Sequence, residues 1–174
     1  MNAFVEELPK RSGFNAHDRT RGNDEWLTPP EIIQALGPFD LDPCAPKKRP
    51  WPTAATHYTV EDNGLLKPWF GRVWLNPPYG RGIERWLARA VEHKNVTALI
   101  FARTETEAFF RYVWPHATAV CFLRGRLRFC SVDGKRGGHA GAPSVLVAFD
   151  DVNGGTLEAA ARTGKIGGRL IHLR

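Results

Sequence analysis

The chain has 174 residues, and its 24 Lys and Arg outnumber 18 Asp and Glu, giving a net charge of +6 and a sequence pI near 9.5. Charged residues at 24% and aromatics at 11% exclude a disordered chain and fit one globular domain, with no apolar run of membrane-spanning length and no secretory signal expected. Cys44, Cys121 and Cys130 lack CxxC spacing and the six histidines are scattered, so neither a disulfide framework nor a metal site is expected, and a reducing cytoplasm fits.

In chain order, residues 1–24 are polar and irregular and read as a flexible arm; residues 25–174 read as a single domain. LTPPEIIQALG predicts a helix with Thr28 as its N-cap, prolines in its first turn and Gly37 as its stop. PFDLDPCA predicts a short strand ending in acids and a proline, and residues 46–70 a loop holding a short strand or turn. VWL, residues 73–75, reads as a strand. GIERWLARAVEHK is helical by the spacing of Ile83, Trp86, Leu87, Ala90 and Val91. VTALIFA is a buried strand, TEAFFRYVWPH a second amphipathic helix stopped by Pro115, and ATAVCFL another strand. LRGRLRFCS and SVLVAFD predict two more strands around the basic, glycine-rich loop VDGKRGGHAGAP, and the tail predicts a short helix and an edge strand. The alternation of strands and helices argues for an α/β sheet, mostly parallel, with antiparallel strands near the C-terminus.

The stretch VWLNPPYG carries the chemistry. Pro77 and Pro78 cannot donate ladder hydrogen bonds and fix their own φ, so the strand stops at Asn76 in a rigid turn. Such a turn, at the strand's carboxyl end where α/β sheets bind ligands, presents the Asn76 amide oxygen, the Pro77 carbonyl and the Tyr79 ring. Two converging acceptors suit an NH2 group on a conjugated ring, whose nitrogen is a poor nucleophile until its lone pair is freed. Tyr79 is then placed to stack on that ring, as aromatic side chains do with flipped bases. An electrophile must be supplied by something other than a protein side chain.

The sequence here resembles phage-type, Dam-like DNA N6-adenine methyltransferases, which use S-adenosylmethionine. Five stretches carry the likeness in order: LTPPEIIQAL, FDLDPCA, EDNGL, NPPYG, and ARTETEAFF with LRGRLRF and SVLVAF, spanning roughly residues 25–150. The resemblance implies a Rossmann-like class I methyltransferase sheet with a catalytic motif of Asn76, Pro77, Pro78 and Tyr79. It also implies a cofactor site made by Thr28 and Pro29, by Asp42 with Pro43, Cys44 and Ala45, by Asp62 at the cofactor's adenine amine, and by Asn76. Turn-capping is the plain alternative for both acids. The chain departs from the wider pattern in lacking a glycine-rich loop, with Ala45, Pro46 and Lys47 in its place, and in opening the catalytic motif with Asn rather than Asp.

Double-stranded DNA is the partner implied, and the basic balance suits it. Arg124, Arg126 and Arg128, with Lys135 and Arg136 in the neighbouring loop, are the candidate phosphate contacts; Arg81, Arg85 and Arg89 read as a solvated helix face. Thr104, Glu105 and Thr106 fit either a base pocket or a helix cap, and Phe129 either a core position, the favoured reading, or a place beside a flipped base. Two other readings stay open: the same fold acting on an RNA base, cytosine N4 or a protein glutamine, and a non-catalytic basic module. Oligomeric state, monomer or weak dimer, and the recognised DNA sequence are not written in the chain.

Overall fold

The computed structural model describes residues 25–80 and 82–174; the expected N-terminal arm and Arg81 lie outside the described residues. Seven strands form one sheet: β1 (Leu41–Asp42), β2 (Thr56–His57), β3 (Val73–Leu75), β4 (Val96–Phe101), β5 (Ala119–Leu123), β6 (Ser144–Ala148) and β7 (Gly168–His172), in the order β2-β1-β3-β4-β6-β5-β7. The pairs β1–β2, β1–β3 and β3–β4 are parallel, while β6 runs antiparallel between β4 and β5, and β7 antiparallel on the far edge. Since β6 opposes both β4 and β5, strands β1 to β5 all point one way. Their carboxyl ends share one edge, where a ligand site is expected.

Three α-helices cover the sheet: α1 (Pro30–Leu36), α2 (Ile83–His93) and α3 (Asp151–Arg162). Side chains alternate across each strand. Val73, Leu75, Ala98 and Ile100 meet Leu87 and Ala90 of α2 on one face. Trp74, Leu99, Leu146 and Ala148 meet Ile32 and Leu36 of α1 and Leu157 and Ala160 of α3 on the other. β4 is buried along its whole length, which explains its apolar run, and its one polar side chain, Thr97, donates to Asn153 Oδ1 at 2.7 Å. Asp150 caps α3 by accepting from the Asn153 N–H at 2.7 Å.

Three expectations are corrected. Thr28 does not cap α1: Pro29 holds the N-cap position with no side-chain cap bond, Pro30 opens the helix, and Thr28 is buried at 1% exposure. The helix expected over TEAFFRYVWPH forms, but shorter and wider than expected: residues 107–108 are α-helical and Phe109–Val113 π-helical, with the Trp114 N–H bonded to the Phe109 carbonyl at 2.9 Å. Pro115 has no N–H to extend an α-helical ladder, so the turn widens and stops. The strand expected over LRGRLRFCS does not form. Gly125, at φ +74°, ends β5 in the left-handed region, and residues 126–129 are irregular. Cys130 then makes isolated antiparallel bridges to Leu27 and Arg136.

Candidate active site

The loops after β1, β2 and β3 and the segment before α1 enclose a cleft of about 550 Å³ at the carboxyl edge of the sheet. Its construction starts from three strand ends. β1 finishes at Asp42, where Pro43 forbids further pairing; β3 finishes at Asn76 before Pro77 and Pro78. Because β1 and β3 are adjacent, the two ends meet: the Cys44 thiol donates to the Asn76 main-chain carbonyl at 3.3 Å. Burial, then the neighbouring Asp42 charge, push the Cys44 thiol well above its ordinary pKa, so it stays protonated and able to donate.

Asp42 is the buried charge of the site, at 3% exposure. Its carboxylate accepts from the Thr53 hydroxyl at 2.5 Å and from the Cys44 N–H at 3.1 Å. Burial outweighs these bonds and pushes its pKa up to about 6. Thr53 is itself placed by His57, whose Nε2 accepts from the Thr53 and Ala54 N–H groups at 3.2 and 3.3 Å. That role requires the neutral ring, and burial, with help from Arg49, lowers the His57 pKa to about 4. The resulting chain runs His57, Thr53, Asp42, Cys44, Asn76.

Asn76 is half-buried. Its Oδ1 accepts from the Tyr79 hydroxyl at 3.0 Å, and its Nδ2 donates to the Trp26 carbonyl at 3.4 Å. Burial raises the Tyr79 phenol far above its usual pKa, so it remains a donor. The Tyr79 ring stacks on Phe101 at 4.0 Å between centroids and meets Phe129 edge-on at 6.0 Å. One face of the ring is therefore occupied by protein, and only the opposite face could take a base. Pro77 is buried and Pro78 exposed. Among the described residues, no hydrogen bond is made to the Pro77 carbonyl.

Thr28, Asp42, Pro43, Cys44, Ala45, Asn76, Pro77, Pro78 and Tyr79, separated by up to 51 positions in sequence, line this single cleft. Pro29 caps α1 beside it. Asp62 does not line it; its Oδ2 accepts from the Thr59 N–H at 2.9 Å and the Thr59 hydroxyl at 3.1 Å, closing a turn, and these bonds lower its pKa. The cleft wall is supplied instead by its neighbours Thr59, Val60, Asn63 and Gly64. Gly64 packs so tightly on the β1 loop that a Cβ there would lie 1.9 Å from the Pro43 carbonyl oxygen.

The five basic residues expected to contact phosphate are exposed. Arg126 donates to the Ala140 carbonyl at 3.4 Å, Arg128 to the Gly137 carbonyl at 3.0 Å, and Arg136 pairs with Glu31. Lys135 lies 3.1 Å from Asp133. None of the five predicted phosphate contacts lines the cleft. Arg89, read as solvated, lies over Trp69 and donates to the Lys67 carbonyl. Phe129 is a core residue, as expected.

The family described as DNA N-6-adenine-methyltransferase (Dam) matches residues 15–159. The chain belongs to the Dam family. Its match runs from before the cleft's first wall through β6 and into α3, and so takes in the whole site of this Dam methyltransferase. A protein of Escherichia coli (strain K12) named "Putative methyltransferase YfdM" is 30% identical over 89 residues, covering 45% of this chain and 96% of that protein. No solved structure matches the chain. No helix among the described residues is long and apolar enough to cross a membrane.

Proposed function

We propose that this Dam-family chain methylates the exocyclic N6 amine of adenine in double-stranded DNA, with S-adenosylmethionine as methyl donor, on a Rossmann-like sheet. The observation that carries the reading is the Asn76 amide, held at the strand end with its oxygen side fixed by Tyr79 and its nitrogen side by Trp26. Asn76 Oδ1 keeps one lone pair beyond the Tyr79 bond. The Pro77 carbonyl accepts no hydrogen bond from the described residues. Together they would accept from the two hydrogens of an aromatic amine and shift electron density onto its nitrogen. Fixed acceptors cost little reorganisation when charge develops, and this is where most of the rate gain arises.

The residues of the cleft fit the cofactor. Asp42 is a buried carboxylate that makes no ion pair among the described residues, its pKa raised by burial despite the nearby Arg49 charge, and S-adenosylmethionine brings an ammonium and a sulfonium. Asp42 with the Pro43–Ala45 backbone and Thr28 would hold its amino-acid end, and the Thr59–Gly64 turn, near Asp62, its adenosine end. When bound, it supplies an electrophilic methyl group. Tyr79 orients Asn76 through its hydroxyl, while its ring, braced by Phe101, walls the site.

Incubation with labelled S-adenosylmethionine and, in parallel, duplex DNA, RNA and protein extracts tests the assignment. Label recovered as N6-methyl-2′-deoxyadenosine from DNA hydrolysates is expected. Label in RNA or glutamine alone would overturn the DNA assignment.

A further inference from the structure

A side-chain amide can rotate by half a turn and exchange its oxygen for its nitrogen, so something must choose between the two orientations of Asn76. The Tyr79 hydroxyl cannot: it donates to an oxygen or accepts from an N–H equally well. The Trp26 carbonyl can, since only an N–H can face it. The placement of Trp26 therefore decides which atom of Asn76 meets the amine.

Trp26 is placed by the basic hairpin of residues 129–137. Leu27 and Cys130 exchange two main-chain hydrogen bonds, at 2.7 and 2.9 Å. The hairpin closes through Gly137 N–H to the Phe129 carbonyl at 2.7 Å and Ser131 N–H to the Lys135 carbonyl at 2.9 Å. The Trp26 indole lies directly on Gly137, where a Cβ would come within 2.8 Å of the ring and 3.1 Å of the Phe129 carbonyl. Arg136 at the base of the same hairpin pairs with Glu31 of α1. An exposed ion pair of this kind holds weakly. A phosphate competing for Arg136 can draw it from Glu31 and shift the hairpin against the 25–31 segment.

We propose that the 129–137 hairpin is a positioning element for the Asn76 amide, acting through Trp26, so that polyanion docking at Lys135 and Arg136 moves that amide. The inference rests on reading Asn76 as the acceptor for the target amine.

The test uses the full chain, 15N-labelled, and follows the side-chain NH2 signal of Asn76, identified by its loss in Asn76→Asp. Gly137→Ala is expected to displace that signal and to lower single-turnover methylation about tenfold, with cofactor Kd changed less than twofold. Gly138→Ala, whose Cβ meets nothing within 4 Å, should leave both as they are. In a Trp26→Ala background, Gly137→Ala should cost less than twofold more, because the ring it strikes is gone. A short duplex should move the Asn76 signal in the wild type and not in Lys135→Ala/Arg136→Ala, a variant that leaves the glycine intact. An unmoved signal in Gly137→Ala, an undiminished effect without the Trp26 ring, or the same duplex response without Lys135 and Arg136 would each overturn the inference. A wild type that methylates no adenine instead removes the functional reading, and the Asn76 signal then decides the positioning role alone.

Discussion

Replacing Asp42 with asparagine should stabilise the free protein at neutral pH while weakening its hold on S-adenosylmethionine. In the fold the carboxyl titrates at about 6 against an ordinary 3.8, because burial penalises the ionised form. A displacement of about two pH units is worth about 3 kcal/mol. For a raised carboxyl the favourable contribution is present below the unfolded value and is lost as pH rises from 3.8 through about 6. At pH 7.5 the ionised Asp42 is thus a net cost to the free fold. Asparagine removes the charge, keeps an acceptor for the Cys44 N–H, and lets the Thr53 hydroxyl reverse and accept from its NH2. Allowing for poorer hydrogen bonds, a gain of about 1–2 kcal/mol remains, or roughly 3–6 °C in Tm for a chain of this length. The gain should fall to about half by pH 5, midway through that window, and be lost only towards pH 3.8. His57 carries the opposite dependence: its lowered pKa gives stability that is full above 6.5 and is lost as pH falls through about 4. It is common to both proteins, so the difference at each pH isolates Asp42. Binding moves the other way, with S-adenosylmethionine affinity falling about 10–100-fold once the charge partner of its cation is gone. Thermal unfolding at pH 5 and 7.5, with calorimetry of cofactor binding, measures both. An asparagine variant that is destabilised equally at both pH values, or that binds the cofactor like wild type, would refute the assignment of Asp42 as a strained, ligand-directed carboxylate.

Gly64→Ala should lower Tm by several degrees and sharply weaken cofactor binding, because its Cβ meets the Pro43 backbone rather than a movable side chain; an unaltered melting curve would deny that packing. All three cysteines have pKa values raised first by burial, so alkylation at pH 7 of the native chain should modify fewer than one thiol on the timescale that labels three after unfolding. Lys135→Ala/Arg136→Ala should weaken duplex binding across all sequences and reduce the slope of log affinity against log salt by about two; an unchanged slope would remove these residues from the phosphate interface.

What the sequence discloses follows from how local each cause is. The end of β3 at Asn76 is legible because proline acts on its own φ and its neighbour's, and the end of β1 at Asp42 for the same reason. Helix α2 shows in the spacing of its apolar residues. The support beneath Asp42 is not legible, since it depends on His57 accepting main-chain N–H groups in a loop with no periodic signal. Nor is the role of Trp26, whose carbonyl reaches an amide 50 positions away, or the pairing of Glu31 with Arg136 across 105 positions. Three arginines at alternate positions imitate a strand over residues 124–128, and a single left-handed glycine at position 125 cancels it. The stacking of the Tyr79 ring on Phe101, 22 positions away, is not legible either, and it leaves the opposite face of the ring for a base.

The most direct measurement is single-turnover methyl transfer to adenine-containing duplex by Asn76→Ala and Asn76→Asp, with cofactor binding measured on the same samples. Loss of one of two preorganised acceptors should slow Asn76→Ala by about 10²–10³-fold at full cofactor occupancy, while Asn76→Asp, which keeps an acceptor, retains most of the rate. Methyl transfer by Asn76→Ala at the wild-type rate would contradict the account.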